Sequence, residues 1–229
     1  MSNQEVPKHV GIIMDGNRRW ARGRGLAVFK GHEEGADHIE SIVEHAKTKG
    51  IEVISFWAFS TENWKRSKLE VDALMRIFRT ILTGPMVTRL IQKDVKIKTI
   101  GDMSQFPQDI QDEASRLAVE SENNEAILVN LALNYGGREE VVFAVNEALK
   151  EGKTELTQED ISSHLYTKGQ PEPDLIIRTS GERRHSGFLL WQSRDAEYVY
   201  PEVAWPDFNE EEFDKALNDY AQRERRFGK

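Results

Sequence analysis

The sequence predicts an α/β fold: a mainly parallel, six-stranded sheet flanked by helices, in one domain spanning residues 1–229. Three observations carry this prediction. Short apolar runs alternate with longer amphipathic stretches, no hairpin signal joins one run to the next, and no repeat or Pro/Gly/Ser linker divides the chain.

The elements follow in order. His9 to Met14 reads as a buried strand. Gly31 to Lys49 sets Ile39, Ile42, Val43 and Ala46 at helical spacing, and Gly50 closes that helix. Ile51 to Phe59 is the second strand. Ser67 to Asp94 is helical, with Leu74, Ile77, Phe78, Ile81 and Leu82 on one side, and Gly84-Pro85 should split it. Val95 to Ile100 is a third strand, Pro107 to Asn123 a helix opening on proline, and Ile127 to Leu133 a fourth strand. Helices over Arg138 to Lys150 and Thr157 to Tyr166 follow. Short strands over Asp174 to Arg178 and Phe188 to Gln192 come next, then a terminal helix over Asn209 to Arg225.

Composition narrows the function. Apolar residues make up 38% and charged residues 31%, an ordinary globular mix. The net charge of −8 argues against a general nucleic-acid binder, since phosphate attraction supplies most of that affinity, but leaves room for a local basic pocket. The absence of cysteine excludes disulfides and thiolate metal sites and fits a reducing compartment. No signal-peptide pattern opens the chain, and no run approaches the ~20 apolar residues of a membrane span, so a cytoplasmic location is expected.

In parallel sheets ligands gather at the carboxyl ends of strands. Four strand ends here are polar, three of them rich in arginine. They are Asp15-Gly16-Asn17-Arg18-Arg19; Ser60-Thr61-Glu62-Asn63-Trp64-Lys65-Arg66; Asn134 with Gly136-Gly137-Arg138; and Arg178 through Glu182, Arg183, Arg184, His185 and Ser186. A single polar loop is ordinary; four coincident ones point to a site. Arginine forks match phosphate oxygens, and glycine N–H groups let a phosphate approach closely. A lone carboxylate among such donors suits Mg²⁺, which typically takes one or two carboxylates plus substrate phosphates. The pattern reads as a diphosphate–magnesium cradle. The Gly-Lys-Ser/Thr ending of a P-loop and the G-x-G-x-x-G spacing of a Rossmann fingerprint are both missing.

The segments "HVGIIMDGNRRWA", "AFSTENWKRS", "NYGGR", "PDLIIRTSGE", "FLLWQ", "AEYVYPEVAWPDF" and "RERRFG", with Gly31-His32, together resemble the cis-prenyltransferases, the undecaprenyl diphosphate synthase type of isoprenyl transferase. The resemblance runs from His9 to Gly228. It implies Mg²⁺-dependent condensation of isopentenyl diphosphate with an allylic diphosphate, farnesyl or geranyl, to give a cis-polyprenyl diphosphate. It also implies a homodimer, an apolar tunnel between the sheet and the long helices, and a lipid product that touches the membrane surface. By this resemblance Asp15 is the catalytic aspartate holding Mg²⁺; a helix N-cap is its other reading. Gly16, Asn17, Arg18, Arg19, Trp20 and His32 grip the allylic diphosphate. Asn63 takes part in proton removal, with Ser60, Thr61, Glu62, Trp64 and Arg66 around the substrates. For Trp64 and Asn63 the alternatives are packing and a turn. Glu70 matches a residue of loop closure, and is also a favourable acid at a helix start.

Arg178, Arg184 and Ser186, with His185 between the last two, match the isopentenyl diphosphate site, and Glu197 matches a second acid associated with the metal. Arg226 and Gly228 match an element that reaches across a dimer interface. The chain departs from the family at Val28, where arginine is usual, at Gly187, where asparagine is usual, and at Asp195, where an aromatic residue is usual. Small Ala58 on the second strand suggests a product longer than farnesyl. The competing function is a noncatalytic partner subunit of a prenyltransferase complex, which would tend to lose the aspartate loop.

Overall fold

The computed structural model describes residues 6–223. Six strands form one sheet: β1 (His9–Ile13), β2 (Val53–Trp57), β3 (Val95–Ile100), β4 (Ile127–Ala132), β5 (Leu175–Arg178) and β6 (Glu197–Val199). Their order is β3-β4-β2-β1-β5-β6, and every pairing is parallel. The helices are α1 (Asn17–Gly23), α2 (Val28–Asp37), α3 (Ile39–Thr48), α4 (Lys68–Thr83), α5 (Pro85–Gln92), α6 (Gln108–Glu120), α7 (Gly137–Lys150), α8 (Gln158–Ser162) and α9 (Glu210–Ala221).

Residues paired across a parallel sheet share a face, and the face alternates along each strand. Val10, Ile12, Ile54, Phe56, Val129 and Leu131 therefore point one way, into a core completed by α3, α4, α5, α6 and α9. Ile13, Ala132 and Ile176 point the other way, against Tyr135, Phe188 and Leu189. The Gly84-Pro85 break expected in the long helix is present, with Gly84 as the cap between α4 and α5.

Three expectations are corrected. Phe188 to Gln192 is a turn, not a strand. Ser186, Gly187 and Leu189 all have positive φ, which no ladder accommodates, and buried Phe188 and Leu189 lie flat on the second face. The sixth strand is Glu197–Val199 instead, paired with β5. The helix expected over Gly31 to Lys49 starts earlier and is two helices meeting at His38. Helix α1 was missed, because its polar run of Asn, Arg and Gly carries too few apolar residues to show a period.

Candidate active site

Strand β1 lies between β2 and β5; the chain runs from β1 to β2 on one side, and from β5 to β6 on the other, so the winding reverses between β1 and β5. The crevice beyond its carboxyl end is the place such sheets hold a ligand. Asp15 stands there, and its main chain is fixed from several sides. Its N–H donates to the Thr179 hydroxyl (3.0 Å), and its carbonyl accepts from that hydroxyl (2.7 Å) and from the Trp205 N–H (2.9 Å). Gly16 follows at φ 100°; a Cβ there would sit 2.8 Å from both the Ala204 methyl and the Ser180 hydroxyl, so only glycine fits. The carboxylate accepts from the Gly16 N–H (2.7 Å) and from the Arg178 guanidinium (2.8 Å).

Arg178 is itself buried, and its other arm donates to the Arg184 carbonyl (2.6 Å) and the Ser186 hydroxyl (2.7 Å). Its Nε has no partner among the described residues. The ends of β1 and β5 and the turn beyond them are thereby joined through one guanidinium. Helix α2 closes from the other side because Gly31 and Gly35 face the Asn17 turn. A Cβ on Gly31 would meet the Asn17 carbonyl oxygen at 2.1 Å, and one on Gly35 the Asn17 side-chain oxygen at 2.6 Å. This approach brings His32 to the crevice.

The resulting cleft, about 520 Å³, has two regions. Its mouth carries Asp15, Asn17, His32, Ser60, Glu62, Asn63, Arg66, Arg178 and Ser186; its depth is walled by Ile39, Phe59, Leu74, Ile77, Phe78 and Ile81, with Ala58 alongside. A basin of about 310 Å³ adjoins the mouth, sharing Asp15, Asn17, His32 and Arg66 and adding Gly16, Arg18, Arg19, Arg22, Glu182 and Arg184. Five arginines thus ring one basin of a net acidic protein.

Two carboxylates hold four of these arginines in place. Glu70 reaches Arg66 (2.8 Å) and Arg18 (3.6 Å). Glu182 reaches Arg184 (2.5 Å) and Arg19 (3.1 Å), and Arg19 also donates to the Ser180 carbonyl (3.1 Å). His32 lies near the first cluster. Burial, then the Arg66 and Arg18 charges, push its ring down to about 4 against the opposing pull of Glu70, so the ring is neutral at pH 7. Its Nε2 is buried and has no partner among the described residues, a polar atom open to a ligand that brings its own hydrogen-bonding oxygen. Asn63 is oriented too, its side-chain oxygen accepting from the Ser60 N–H (3.1 Å).

Other expected residues lie elsewhere. Trp20 turns outward, donating to Asp207 (2.7 Å) under the Arg24 guanidinium. Trp64 is a packing residue, edge-on to Phe59 and Phe106 and donating to Asn134 (2.9 Å). Thr61 stands beside Gly136 and outside the cleft lining, and exposed His185 accepts from the Gly187 N–H (3.0 Å). Glu197 begins β6 opposite Leu175, three residues and roughly 10 Å back along β5 from Arg178. It pairs with Arg223 (2.7 Å) rather than facing Asp15. Arg226 and Gly228 lie outside the described residues. The sequence reading placed Thr179 and Glu182 at a strand end and Trp205 in a motif, but gave none of the three a role. Thr179 and Trp205 act through the main chain of Asp15, which leaves no mark in composition; Glu182 shows only as an acid between a glycine and two arginines.

Among the described residues no three His, Asp or Glu side chains converge as a metal site, and no helix is long and apolar enough to cross a membrane. The Asp15 carboxylate, beside arginines suited to phosphate, fits a hard cation that keeps most of its waters and takes its remaining oxygens from a bound diphosphate. It does not fit a cation caged by protein alone.

Comparison with known proteins agrees with this arrangement. Residues 13–228 match the prenyltransferase family model described as "Putative undecaprenyl diphosphate synthase". The isoprenyl transferase of Fusobacterium nucleatum is 45% identical over 225 residues, covering 98% of this chain and 97% of that protein. The Thermus thermophilus isoprenyl transferase is 43% identical, covering 98% and 89%. The crystal structure of lavandulyl diphosphate synthase from Lavandula x intermedia, in complex with dimethylallyl diphosphate, superposes with a TM-score of 0.93 at 38% identity over 98% of this chain and 99% of that one. That of a probable undecaprenyl diphosphate synthase from Campylobacter jejuni gives 0.83 at 30% identity, with the same coverage. Matched along almost its whole length in both sequence and fold, the chain belongs to the undecaprenyl diphosphate synthase family of isoprenyl transferases and is a transferase.

Proposed function

We propose that this transferase condenses isopentenyl diphosphate with an allylic diphosphate, farnesyl or geranyl, to form a cis-polyprenyl diphosphate, with Mg²⁺ as its cofactor. The observation that carries the reading is the single cleft with an arginine-rich mouth and an apolar depth. A substrate with a multiply charged head and a hydrocarbon tail matches both ends at once. Two such heads repel each other, and the clustered guanidinium groups offset that repulsion.

In this reading Arg18, Arg19 and His32, with the N–H of Gly16, hold the allylic diphosphate. Arg178, Arg184 and Ser186 hold the isopentenyl diphosphate. Asp15 would hold the cation, which when bound supplies positive charge to the departing diphosphate. The allylic carbon–oxygen bond breaks, the isopentenyl double bond attacks the allylic carbon, and the proton released passes to the departing diphosphate. Ser60 and Asn63 position that acceptor; no side chain at the mouth is a strong base. The tail extends between Leu74, Ile77, Phe78 and Ile81, and Ala58 leaves room for a product longer than farnesyl. Glu197 would serve the metal only after leaving Arg223.

We further read the protein as one cytoplasmic domain acting as a homodimer. Val142, Phe143 and Leu149, exposed apolar residues of α7, are suited to cover a second copy. The rival reading, a noncatalytic partner subunit, is disfavoured by the convergence of Asp15, Asn63 and Arg178 on one cleft. Incubation with farnesyl diphosphate, radiolabelled isopentenyl diphosphate and Mg²⁺ tests the proposal. Butanol-extractable label is expected; its absence would favour the partner subunit.

A further inference from the structure

We infer that Lys98 is an acylation site, an amine that takes the acyl group of a small acyl phosphate. The inference goes beyond the proposed condensation and lies away from the cleft. Among the described residues β3 is an edge strand, paired with β4 alone. Val95 and Ile97 point into the core of the first face, so Lys96 and Lys98 point to the second. There Lys98 lies opposite Asn130 of β4, which lies opposite Ser55 of β2, so the three continue one polar row to the edge of the sheet. Asn130 and Gln170 exchange two side-chain hydrogen bonds (2.6 and 3.2 Å), which brings the loop carrying Lys168 to this end of the row. Lys98 is half-buried, and none of Lys96, Lys98 and Lys168 forms a side-chain ion pair or hydrogen bond with a described residue. Lysines on an edge strand also keep other strands from pairing with it. That accounts for Lys96 and Lys98, but not for Lys168, which comes from a separate loop, nor for the burial of Lys98.

The cluster activates one amine and supplies the attraction for its reagent. Burial, then the charges of Lys168 and Lys96, hold the Lys98 ammonium below the usual lysine range. A lysine desolvated beside other cations carries more of the neutral amine, the form that attacks a carbonyl carbon. The flanking ammonium groups draw in a dianionic donor and stand beside its phosphate, on a chain whose net charge of −8 otherwise repels such a reagent. The step balances without a further reactant. Lys98 gives one proton to water, and its nitrogen lone pair forms the bond to the acyl carbon. The acyl carbon–oxygen bond breaks, its electron pair leaves on the phosphate, and the phosphate takes the second proton from nitrogen. An amide and inorganic phosphate result, and one positive charge leaves the cluster.

The test incubates the full-length protein with acetyl phosphate, without prenyl substrates, and follows acetylation of each lysine by mass spectrometry of its peptides. Lys98 is expected to react roughly fivefold faster than Lys30, Lys65 and Lys68. Lys30 and Lys68 are exposed and paired with Glu33 and Asp72; Lys65 is exposed and, like Lys98, has no ion pair with a described residue. Raised salt should narrow the difference. The double variant Lys96→Gln/Lys168→Gln should bring Lys98 close to the reference lysines. Acetic anhydride, which carries no charge, should show a smaller preference for Lys98. Far-ultraviolet circular dichroism confirms that the double variant is folded; Lys168→Gln alone, in an exposed loop, gives the same comparison with a smaller effect. Lys98 labelled no faster than the reference lysines, or as fast in the variants as in the parent, overturns the proposal. A preference as strong with acetic anhydride as with acetyl phosphate overturns the choice of donor.

Discussion

On one face of the sheet Ile12, Phe56 and Leu131 meet apolar neighbours; on the other, at alternate positions of the same three strands, His9, Ser55 and Asn130 form a fully buried hydrogen-bonded row. The His9 ring bonds the Pro171 carbonyl (2.8 Å) and the Ser55 hydroxyl (2.8 Å). Asn130 donates to that hydroxyl (2.9 Å) and to Gln170 (2.6 Å). Apolar contacts are non-directional, so the first face can part to leave a cleft between sheet and helices. Hydrogen bonds are directional, and a slip of one residue would break the row, so the second face fixes the register of β1, β2 and β4. That register sets the height of Asp15 against Ser60. One face makes room for substrate, and the other keeps the reacting groups level.

The sharpest way to break this contrast is at the mouth. Asp15→Ala should lower turnover ~10³-fold or more, because the reading gives this carboxylate to the transition-state charge. The melting temperature should also fall, since buried Arg178 loses its carboxylate partner, although Thr179 and Trp205 still hold the main chain. Retained label incorporation would remove Asp15 from the chemistry.

On the opposite face the loss should be of stability alone. Burial holds the His9 ring down at about 4, against 6.5 when exposed. Between those values the unfolded chain binds a proton that the folded chain refuses, so stability falls as pH drops from about 6.5 towards 4, by about 3 kcal/mol in total. His9→Gln should roughly halve the histidine contribution to that slope, since His32 is held down equally; an unchanged slope would refute the assignment. Asn130→Leu leaves the Gln170 side chain without its partner and Ser55 with His9 alone, and should cost about 2 kcal/mol in urea denaturation, with turnover per folded molecule preserved.

Two smaller tests refine the comparison. Ala58→Phe narrows the cleft and should shorten the product on chromatography while leaving the first condensation intact; an unchanged product would place the tail elsewhere. Glu197→Gln removes a partly exposed pair with Arg223 and should alter stability by less than ~1 kcal/mol. The magnesium concentration for half-maximal rate should then stay the same. A rise of roughly tenfold would show that Glu197 leaves Arg223 to serve the cation.

Strands β1, β2, β4 and β5 were legible in the sequence because they are largely apolar runs, as buried parallel strands tend to be, and β3 because Val95, Ile97 and Ile100 are apolar; β6, only Glu-Tyr-Val, was not. Phe188 to Gln192 misled for the same reason: an apolar run shows burial, not backbone direction, and positive φ at Leu189 cannot be read from a leucine. At the cleft, the charged side chains were legible, namely Asp15, Arg178 and the arginines of the basin. Trp20 and Trp64 were quoted within motifs, yet they fasten the loops from outside the cleft. Whether a motif residue faces inward depends on tertiary partners such as Asp207 and Asn134, which lie far along the chain.

Glu70 and Glu182 each clamp a pair of arginines before any substrate arrives. An incoming anion must displace a resident carboxylate, so the basin works like an ion-exchange resin whose counter-ions are tethered. Chloride, offering one charge and no fork geometry, has little to trade; a diphosphate engages several guanidinium groups at once. Selection by valence is thus built into the resting protein, before the hydrocarbon tail makes its first contact.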